Sequence, residues 1–408
     1  MEYSRMKKIS VDEAVEKLCA LAQPPKTERV SLFEAQGRVL ADDVTAAINV
    51  PPFDRSPYDG YALRGADTAA ASRETPVTLR VVEELPAGRA PTEALTAGTA
   101  SKILTGAPVP EGADAIVKFE DTAFTDDTVT LFAPVPPDTD IVYAGEDVRE
   151  GTLLAGRGTV ITPGIAGVFA GQGMGEIRVY RRPRAVVIST GSELLEAGEP
   201  YEPAKIYNSN TVTVSAYLAL LGVDAVSGGS VPDDPDLIAQ KIDKALREYD
   251  LVVTTGGASV GDYDYAGRAA ERAGARLLFW KIAMKPGGSV VASEKDGKLI
   301  LALSGNPGAA LTTLLRVASP YIRRACGRKD WAHEPVEVVL KEDFPKKSPQ
   351  QRLVRGRISI EDGTAFFVSL DGQGNGVVSS FIGCDALGEI PAGSPPLAAG
   401  EKIKAYRI

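Results

Sequence analysis

The chain has 408 residues, 44% of them hydrophobic and 24% charged, which is the composition of an ordinary globular protein. Because a single hydrophobic core stops growing at about 250–300 residues, this length predicts two or more domains. The net charge of −9 argues against a protein that follows the phosphates of a nucleic acid. A small anion can still bind, since backbone amides and a few lysines act locally.

The cysteine and histidine content narrows the metal chemistry. Three cysteines lie far apart in the sequence without a Cys-x-x-Cys pair, which argues for a reducing cytoplasm and against a disulfide framework or a zinc site. The one histidine, His333, lies in Asp-Trp-Ala-His-Glu-Pro, a stretch typical of a solvated linker between domains. A metal ion is therefore expected to be a hard one held by oxygen atoms, with Mg²⁺ the default.

Neither a secretion signal nor a membrane span is predicted. The N-terminal stretch lacks the apolar core of a signal peptide, and Asn306 and Pro307 interrupt the most apolar segment, Leu299–Val317. Gly-x-Gly-x-x-Gly and Gly-x₄-Gly-Lys-Ser/Thr are also absent, so a dinucleotide site and a P-loop lack their signatures. We therefore expect a cytoplasmic protein.

The first part of the chain predicts an N-terminal domain of residues 1–50 and 135–180, which opens with a capping box at Ser10–Glu13 and an amphipathic helix. Pro51–Tyr61 combines many turn formers with two aspartates and three aromatic residues, so a plain loop and a functional loop explain it equally well. Residues 51–134 predict an inserted small β domain. Its expected strands are Val77–Leu85, Ser101–Leu104, Ala115–Glu120 and Thr128–Phe132.

Residues 181–328 predict a central α/β domain with a parallel sheet, because strands and helices alternate there. The expected strands are 185–189, 251–254 and 299–303, and the expected helices are 208–221, 235–247 and 307–324. Each strand runs into a polar turn that contains glycine. For one such turn alone, glycine is explained by geometry. Because the carboxyl ends of parallel strands meet at one edge of a sheet, we expect the three turns to form one ligand site.

The last part, residues 329–408, predicts a C-terminal β domain of barrel type. Its expected strands are 336–340, 353–360, 364–370, 376–381 and 401–407. The fold class expected for the whole chain is therefore multidomain, α/β plus β, with a central parallel-sheet α/β domain between an inserted small β domain and a C-terminal barrel-like domain.

Charged residues near the three turns suggest anion and metal chemistry. The carboxylates Glu193, Asp233 and Asp264 could hold Mg²⁺ against a pyrophosphate, while Lys281 and Lys285 and the turn amides hold its oxygens. A helix cap is the alternative for Asp233. A solvated strand edge is the alternative for the lysines, whose side chains would share one face of a strand.

Seven segments resemble, in the same order, those of the molybdopterin molybdenumtransferase family, of the MoeA and gephyrin E-domain type. They are Phe53–Ala62, Leu104–Asp114, Gly145–Asp147, Ser189–Leu194, Gly256–Asp264, Trp280–Gly287 and Ser304–Pro307. The resemblance implies a four-part protomer with a MogA-like central domain and a two-fold homodimer. It also implies an Mg²⁺-dependent enzyme that takes adenylylated molybdopterin and molybdate, releases AMP and forms molybdenum cofactor. An adenylyltransferase of the pathway is a further implied partner. Neither a nucleic acid nor a membrane is expected as a partner.

The resemblance also implies roles for individual residues. The catalytic positions are Asp59, Thr105, Asp147, Glu193 and Asp264, of which Glu193 and Asp264 bind the metal. The substrate-binding positions are Asp233, Gly256, Gly257, Ser259, Lys281, Lys285, Ser304, Asn306, Pro307 and Arg355. In this family the site lies between one subunit's α/β domain and the other's N-terminal part, which would explain why the first three positions are so far from the rest in sequence.

Four departures from the family pattern fall near the expected site. Residues 141–144 lack an arginine, Gly288-Ser289 replaces Lys-Pro, Ser304 replaces a proline, and Gln373-Gly-Asn375 stands where a serine is common. They leave a non-catalytic pterin-binding carrier or scaffold as an alternative. A generic nucleotide hydrolase is a weaker alternative, because the P-loop is missing. No residue type here distinguishes molybdate from tungstate.

Overall fold

The structure, a computed structural model, describes residues 7–23, 25–257 and 265–408. The chain divides into two compact units. The larger unit comprises Met1–Asp42, Arg157–Thr162 and Glu176–Ile408, and the smaller unit comprises Asp43–Gly156 and Pro163–Gly175. The finer four-part division stays a prediction. Among the described helices, none is long and apolar enough to span a bilayer.

The core of the larger unit is a mixed sheet with six strands within the described residues. Their spatial order is Asp224–Val231, Arg184–Thr190, Leu251–Thr255, Lys298–Leu303, Val291–Lys295 and Arg276–Trp280. The first four are parallel, and the last two join antiparallel at one edge. All five residues of Leu251–Thr255 are buried, because the strand is central and both faces of the sheet are covered.

Helices cover both faces of this sheet. They are Ser209–Leu220, Pro235–Glu248, Tyr265–Arg272, Pro307–Thr313 and Ser319–Ala325, the last two joined by a π-helical turn at Leu314–Ala318. Alternate strand residues point to opposite faces, so Leu251 and Val253 pack with the N-terminal helix Val11–Cys19, whereas Val252 packs with Ile238 of the helix Pro235–Glu248. The expected central α/β domain is therefore confirmed, with an antiparallel edge that was not predicted.

The C-terminal domain is a closed barrel of five strands. They are Val336–Leu340, Gln351–Glu361, Thr364–Ser369, Ala386–Ile390 and Lys402–Arg407. Gln351–Glu361 pairs with both Thr364–Ser369 and Ala386–Ile390, which closes the ring. The strand predicted at 376–381 is wrong. A 3₁₀ turn forms at Ser379–Phe381, because the Ser380 hydroxyl donates to the Val377 carbonyl (3.0 Å) and turns the chain.

The smaller unit is built on a second sheet, again with six strands among the residues described. Their spatial order is Ala115–Lys118, Gly60–Leu63, Thr99–Ile103, Val77–Leu85, Thr128–Leu131 and Thr122–Phe124. The inserted small β domain is thereby confirmed, and with it the predicted fold class. Gly60–Leu63 was missed as a strand because it follows directly on the turn-rich stretch that begins at Pro51.

Shorter elements complete the two units. The strand pairs are Thr27–Ser31 with Glu176–Tyr180, Val44–Thr45 with Leu153–Ala155, and Leu194–Leu195 with Ile206–Tyr207, and Met284–Lys285 adds to the barrel. The remaining helices are Pro163–Gly171 and the 3₁₀ turns Leu32–Glu34, Gly65–Thr68 and Phe119–Asp121. At the first helix the Ser10 hydroxyl accepts the Glu13 amide (3.1 Å), as the capping box predicts.

His333 is not the solvated linker residue that the sequence predicts. Its Nε2 lies 2.7 Å from the Ser319 hydroxyl and 2.9 Å from the Leu315 carbonyl oxygen, and its ring meets that of Tyr406 edge-on. Burial, and then the positive charge of Arg323, lower the pKa of His333 to about 4. His333 is therefore a neutral packing residue between the helical face and the barrel.

This burial predicts a pH-dependent stability. Because the folded pKa is below the unfolded value, the unfolded chain binds the extra proton, and stability falls as the pH falls from about 6.5 to about 4. Between pH 7 and pH 5 we expect a loss of about 1–2 kcal/mol in the free energy of unfolding. Urea unfolding at both pH values measures it. His333→Gln, which keeps a donor for the Leu315 carbonyl, should remove most of the difference, and equal pH differences in both proteins would contradict the assignment.

Candidate active site

A cavity of about 600 Å³ lies at the carboxyl-terminal edge of the parallel strands. The turns after Arg184–Thr190, Leu251–Thr255 and Lys298–Leu303 all contribute to its wall, which is the expected place for a ligand in an open α/β sheet. Seven predicted site residues line it: Glu193, Asp233, Gly256, Gly257, Ser304, Asn306 and Pro307. The structure brings them together, and their chemical roles stay predictions.

A buried hydrogen-bond network holds the floor of this cavity. The Ser189 hydroxyl lies 3.1 Å from the Asn208 side-chain oxygen, 2.8 Å from the Thr211 hydroxyl and 2.9 Å from the Thr255 hydroxyl. These four residues belong to two neighbouring strands and to the start of the helix Ser209–Leu220. Because the side chains of these four residues bond to one another, the network fixes the positions of the strand ends.

Glycine is required where two of the turns meet. Gly256 has a φ of +93°, and a Cβ there would lie 2.5 Å from the carbonyl oxygen of Thr190. Such a distance is a clash, so only glycine lets the turn after Leu251–Thr255 approach the end of the neighbouring strand this closely. The close approach leaves room above the turn for a ligand.

Two carboxylates, Glu193 and Asp233, line the same cavity. Partial desolvation, and then the negative charge of Glu193, raise the pKa of Asp233, and the Thr190 hydroxyl opposes the rise. The helix cap is the neighbouring Asp234, whose side chain accepts the amides of Asp236 (2.8 Å) and Leu237 (3.3 Å). The cap alternative considered for Asp233 is therefore wrong, and Asp233 remains available to the cavity.

These two carboxylates fit one part of a magnesium site. They are hard oxygen donors, and a cation would offset both causes of the raised pKa of Asp233, its desolvation and then the negative charge of Glu193. The third predicted acid, Asp264, and the predicted substrate contact Ser259 lie outside the described residues. Within the described residues, no group of three or more histidine, cysteine, aspartate or glutamate side chains could hold a metal ion. Substrate oxygens and water would complete the shell.

The two predicted lysines do not share one strand face. Lys281 has a φ of +68°, and its ammonium lies 3.6 Å from the centroid of the Trp280 ring. Lys285 is exposed and ends the strand Met284–Lys285, which pairs with the barrel strand Gln351–Glu361. The shared-face expectation is wrong because the chain turns at Lys281. Neither lysine is among the described residues that line the cavity.

The departure at Gly288 has a steric cause. A Cβ at this position would lie 2.6 Å from the Met284 carbonyl oxygen and 2.7 Å from that of Ile282. A lysine there would clash with this turn, so Gly288→Lys cannot restore a charge to the cavity. Ser289, the next residue, does line the cavity and presents a hydroxyl in place of the family's proline.

Arg355 is not among the described residues that line the cavity. It is fully buried, and its guanidinium donates to the carbonyls of Gly372 (3.0 Å) and Gly374 (2.9 Å). Burial lowers the pKa of Arg355. The Gln373 amide donates back to the Arg355 carbonyl (2.7 Å), so this pair shapes the loop whose Gly376 lines the cavity. Arg355 therefore has a structural role in this loop, and its role in substrate binding stays a prediction.

A second group of predicted residues lies in the smaller unit. Asp59 accepts two hydrogen bonds from Thr105, one from its amide and one from its hydroxyl, both at 2.7 Å. These bonds lower the pKa of Asp59 and keep it ionised. The two loops are tied together by backbone bonds, from the Ser56 amide to the Ala107 carbonyl (3.1 Å) and from the Gly106 amide to the Ser56 carbonyl (2.8 Å).

The remaining predicted aspartate, Asp147, lies in the same unit. Its amide donates to the Val50 carbonyl (3.0 Å), and its side chain is exposed. Three residues earlier, the Ala144 amide donates to the Asp54 carboxylate (2.8 Å). Of the two aspartates in the Pro51–Tyr61 stretch, Asp54 therefore bonds to the chain near Asp147, whereas Asp59 bonds to Thr105, and the catalytic role of Asp59 stays a prediction.

Sequence reasoning missed several cavity residues. Thr190, Asn208, Asn210 and Thr255 line the wall, and the Asn210 amide also donates to the Gly305 carbonyl (2.7 Å). A signal was present, because two asparagines stood at the start of a predicted helix. Only the sheet order shows that this helix begins beside the three turns.

The chain is similar to known families over most of its length. Residues 9–173 match the "MoeA N-terminal region (domain I and II)", residues 186–324 match the "Probable molybdopterin binding domain", and residues 337–408 match the "MoeA C-terminal region (domain IV)". A solved structure of the molybdopterin biosynthesis MoeA protein from Pyrococcus horikosii has a TM-score of 0.85 and 30% identity, covering 98% of this chain and 99% of that one.

Two relatives carry the name "Molybdopterin molybdenumtransferase". The protein of Bacillus subtilis (strain 168) is 35% identical over 404 residues, covering 98% of this chain and 94% of that protein. The protein of Staphylococcus aureus (strain Mu50 / ATCC 700699) is 33% identical over 395 residues, covering 97% and 94%. With the fold and the ordered motifs, these matches show that the chain belongs to the molybdopterin molybdenumtransferase family.

Proposed function

We propose that this chain is a transferase of molybdenum cofactor biosynthesis, which inserts molybdate into adenylylated molybdopterin and releases AMP. The observation that carries the proposal is the cavity at the ends of three parallel strands, where Glu193 and Asp233 lie beside glycine turns. The cavity occurs in a chain that aligns with a relative of that name over 97% of its length. The carboxylates and the turn amides suit phosphoanhydride and oxyanion chemistry.

The proposed reaction has two parts whose atoms balance. In the first, water adds to phosphorus, the phosphoanhydride P–O bond breaks, and AMP leaves. In the second, two thiols each give up a proton, two S–Mo bonds form, and one oxo group of molybdate leaves as water. Negative charge grows on phosphate oxygens in the first part and on the thiol sulfurs in the second. The site therefore has to orient hydrogen-bond donors and accept protons.

The described residues divide this work. The hydroxyl of Ser304 and the amide group of Asn306 orient oxygens of the substrate at the cavity wall. Asp233, whose pKa is raised by partial desolvation and then by the charge of Glu193, takes the proton from the attacking water. The network under Ser189 keeps the wall in place while charge moves.

We propose Mg²⁺ as the metal, held by Glu193 and by Asp264, the latter outside the described residues, while Asp233 keeps its role as the base. The support is the repulsion between Glu193 and Asp233, which a divalent cation would offset. When bound, the ion supplies electrostatic stabilisation of phosphate oxygens. Molybdate and tungstate are both tetrahedral dianions that no residue type here distinguishes, and molybdate is the oxyanion of the proposed reaction.

A cytoplasmic homodimer with a composite site is the assembly we propose. Its support is that the functional positions fall into two sets, Asp59, Thr105 and Asp147 in the smaller unit and the cavity residues in the larger one. A composite site lets one protomer's acids act on substrate held by the other. The adenylyltransferase that supplies the activated pterin is a proposed further partner.

Turnover by the pure protein tests the proposed reaction. Pure protein given adenylylated molybdopterin, molybdate and Mg²⁺ should release AMP and reconstitute a molybdenum enzyme. Glu193→Gln should lower the rate on the order of 100-fold, because a ligand of the metal and its charge are lost. Glu202→Gln is the matched control, since Glu202 is exposed and is not among the described residues of the cavity wall. Its rate should equal that of the wild type.

The same assay separates the enzyme from the carrier alternative. AMP release by the wild type removes the carrier. Tight pterin binding with neither AMP release nor reconstitution would sink the transferase proposal and favour the carrier. If Glu193→Gln and Glu202→Gln turned over equally fast, the cavity described above would not be the catalytic one.

Hybrid dimers test the composite site. Asp59→Asn and Glu193→Gln should each be nearly inactive alone. Hybrids formed by co-expression in equal amounts should recover about a quarter of the wild-type activity, because half of the dimers are hybrid and each hybrid has one intact site. A monomeric protein in sedimentation, or a mixture no more active than its parents, would count against sharing of the site.

A further inference from the structure

One carboxylate oxygen joins three elements of the larger unit beside the candidate active cavity. It is Oε1 of Glu196, which accepts a hydrogen bond from the Asn208 side-chain amide (3.0 Å) and a second from the Ser230 hydroxyl (2.7 Å). Glu196 lies in residues 191–207, which we call the acidic loop, whereas Asn208 caps the helix Ser209–Leu220 and Ser230 lies in an edge strand of the central sheet. We call this arrangement the Glu196 bridge. Hydrogen bonds to a carboxylate are among the strong ones, so the bridge ties the three elements together.

The bridge connects the two segments that carry the cavity carboxylates. Glu193 precedes Glu196 by three residues in the acidic loop, and Asp233 follows Ser230 by three residues, just after the edge strand. Both carboxylates line the cavity. Because three residues span at most about 10 Å, the bridging oxygen limits how far the two carboxylates can move apart.

The Glu193 carboxylate follows the backbone of the acidic loop. It folds back over Gly191, where an added Cβ would lie 2.5 Å from Oε2 of Glu193. The Gly191 amide donates to the Val231 carbonyl (3.1 Å), so this turn also meets the end of the edge strand. A displacement of the loop would therefore move the carboxylate, and the contacts that hold the loop fix the position of Glu193.

The other side-chain hydrogen bonds of the acidic loop stay within it. Lys205 donates to the Ser192 carbonyl (2.8 Å), and Tyr207 donates to the Glu199 carbonyl (3.0 Å). The Glu199 carboxylate accepts the Glu196 amide (2.7 Å). Within the part of the chain that the structure describes, Glu196 is thus the residue whose side chain hydrogen-bonds this loop to its neighbours.

We propose that Glu196 is a positioning residue, which sets the separation between Glu193 and Asp233 through the Glu196 bridge. The inference rests on the proposed function, in which Glu193 holds the metal ion and Asp233 takes the proton from water. Glu196 is not among the described residues that line the cavity, so it acts on the metal through Glu193. Replacing a residue that orients a metal ligand typically weakens metal binding about 10–100-fold, and the bridge predicts an effect of that size.

Titration of the full-length protein with Mn²⁺, followed by electron paramagnetic resonance of the free ion, tests this role. Glu196→Ala should weaken Mn²⁺ binding at least about tenfold, because the loop that carries Glu193 is no longer held. Glu196→Gln keeps an oxygen that can accept both hydrogen bonds, so its affinity should stay within about twofold of the wild type. Glu202→Ala is the matched control, since it removes a charge from an exposed position of the same loop, and it should bind Mn²⁺ as the wild type does. A glutamine variant as weak as Glu196→Ala, or a Glu196→Ala protein that binds as tightly as the control, would overturn the positioning role.

A change at the other end of the bridge separates positioning from charge. Ser230→Ala removes one of the two hydrogen bonds and no charge, so it should weaken Mn²⁺ binding by a smaller factor than Glu196→Ala does. Ser230 is exposed, so the fold should survive the change. The double variant Glu196→Ala with Ser230→Ala should bind Mn²⁺ as Glu196→Ala alone does, because the shared bond is already lost. Losses that multiply in the double variant would show that the two residues act separately and would contradict the bridge.

The Mg²⁺ dependence of AMP release adds a measurement that a general loss of structure would not reproduce. In Glu196→Ala the Mg²⁺ concentration for half-maximal rate should rise at least about tenfold. The rate at saturating Mg²⁺ and the KM for adenylylated molybdopterin should stay close to those of the wild type, since Glu193 is then held by the ion. A lower saturated rate with an unchanged Mg²⁺ requirement would refute the inference.

Failure of the proposed function is visible separately. A wild type that binds Mn²⁺ but releases no AMP would refute the transferase, while the Mn²⁺ affinities of the variants would still decide the role of Glu196. A wild type that binds no Mn²⁺ would remove the metal site and the inference with it.

Discussion

The close approach of Gly256 to the end of the neighbouring strand is the constraint on which the candidate site depends. A side chain at Gly256 would clash with the carbonyl oxygen of Thr190 and push the turn away from the neighbouring strand. Because the turn lies this close to the neighbouring strand, the hydroxyls of Ser189 and Thr255 lie within hydrogen-bond distance. Ser189 also reaches Asn208, so the network can form. The concave edge of the sheet therefore follows from one backbone contact, and its polar wall follows from the network beneath it.

Electrostatics then decide what the cavity can hold. Placing Glu193 and Asp233 together at the end of a sheet costs free energy, through the desolvation of Asp233 and the repulsion between the two charges. Helix capping does not offset this cost, because Asp234, and not Asp233, caps the helix. The uncompensated pair makes sense if the ligand brings the positive charge, as a divalent ion bound to phosphates does. The pair of Glu193 and Asp233 therefore lowers the stability of the unliganded protein and favours binding of a cation, as is common at functional sites.

The sequence predicted what local rules control. Strand ends, the glycine turns and the cap at Ser10 follow from patterns within a few residues, and all are present. The errors arose where long-range packing decides. The residues around Lys281 do not predict its positive φ, and those around His333 do not predict that it packs against Tyr406 of the last strand. The family motif pointed to Arg355. It could not show that the guanidinium is buried and donates hydrogen bonds to backbone carbonyls of the same domain.

The same contacts change the meaning of the departures from the family pattern. As a sequence difference, Gly288 is a lost positive charge, and it favours a carrier that binds pterin without turnover. In the structure Gly288 is a packing requirement of its turn, since the Met284 carbonyl occupies the space of a side chain. Gln373 likewise bonds to the backbone of Arg355 and supports a cavity loop. Both changes therefore concern how the wall is built, while the two carboxylates that would do the chemistry are kept. The physical case for a non-catalytic carrier is correspondingly weaker than the sequence difference suggests.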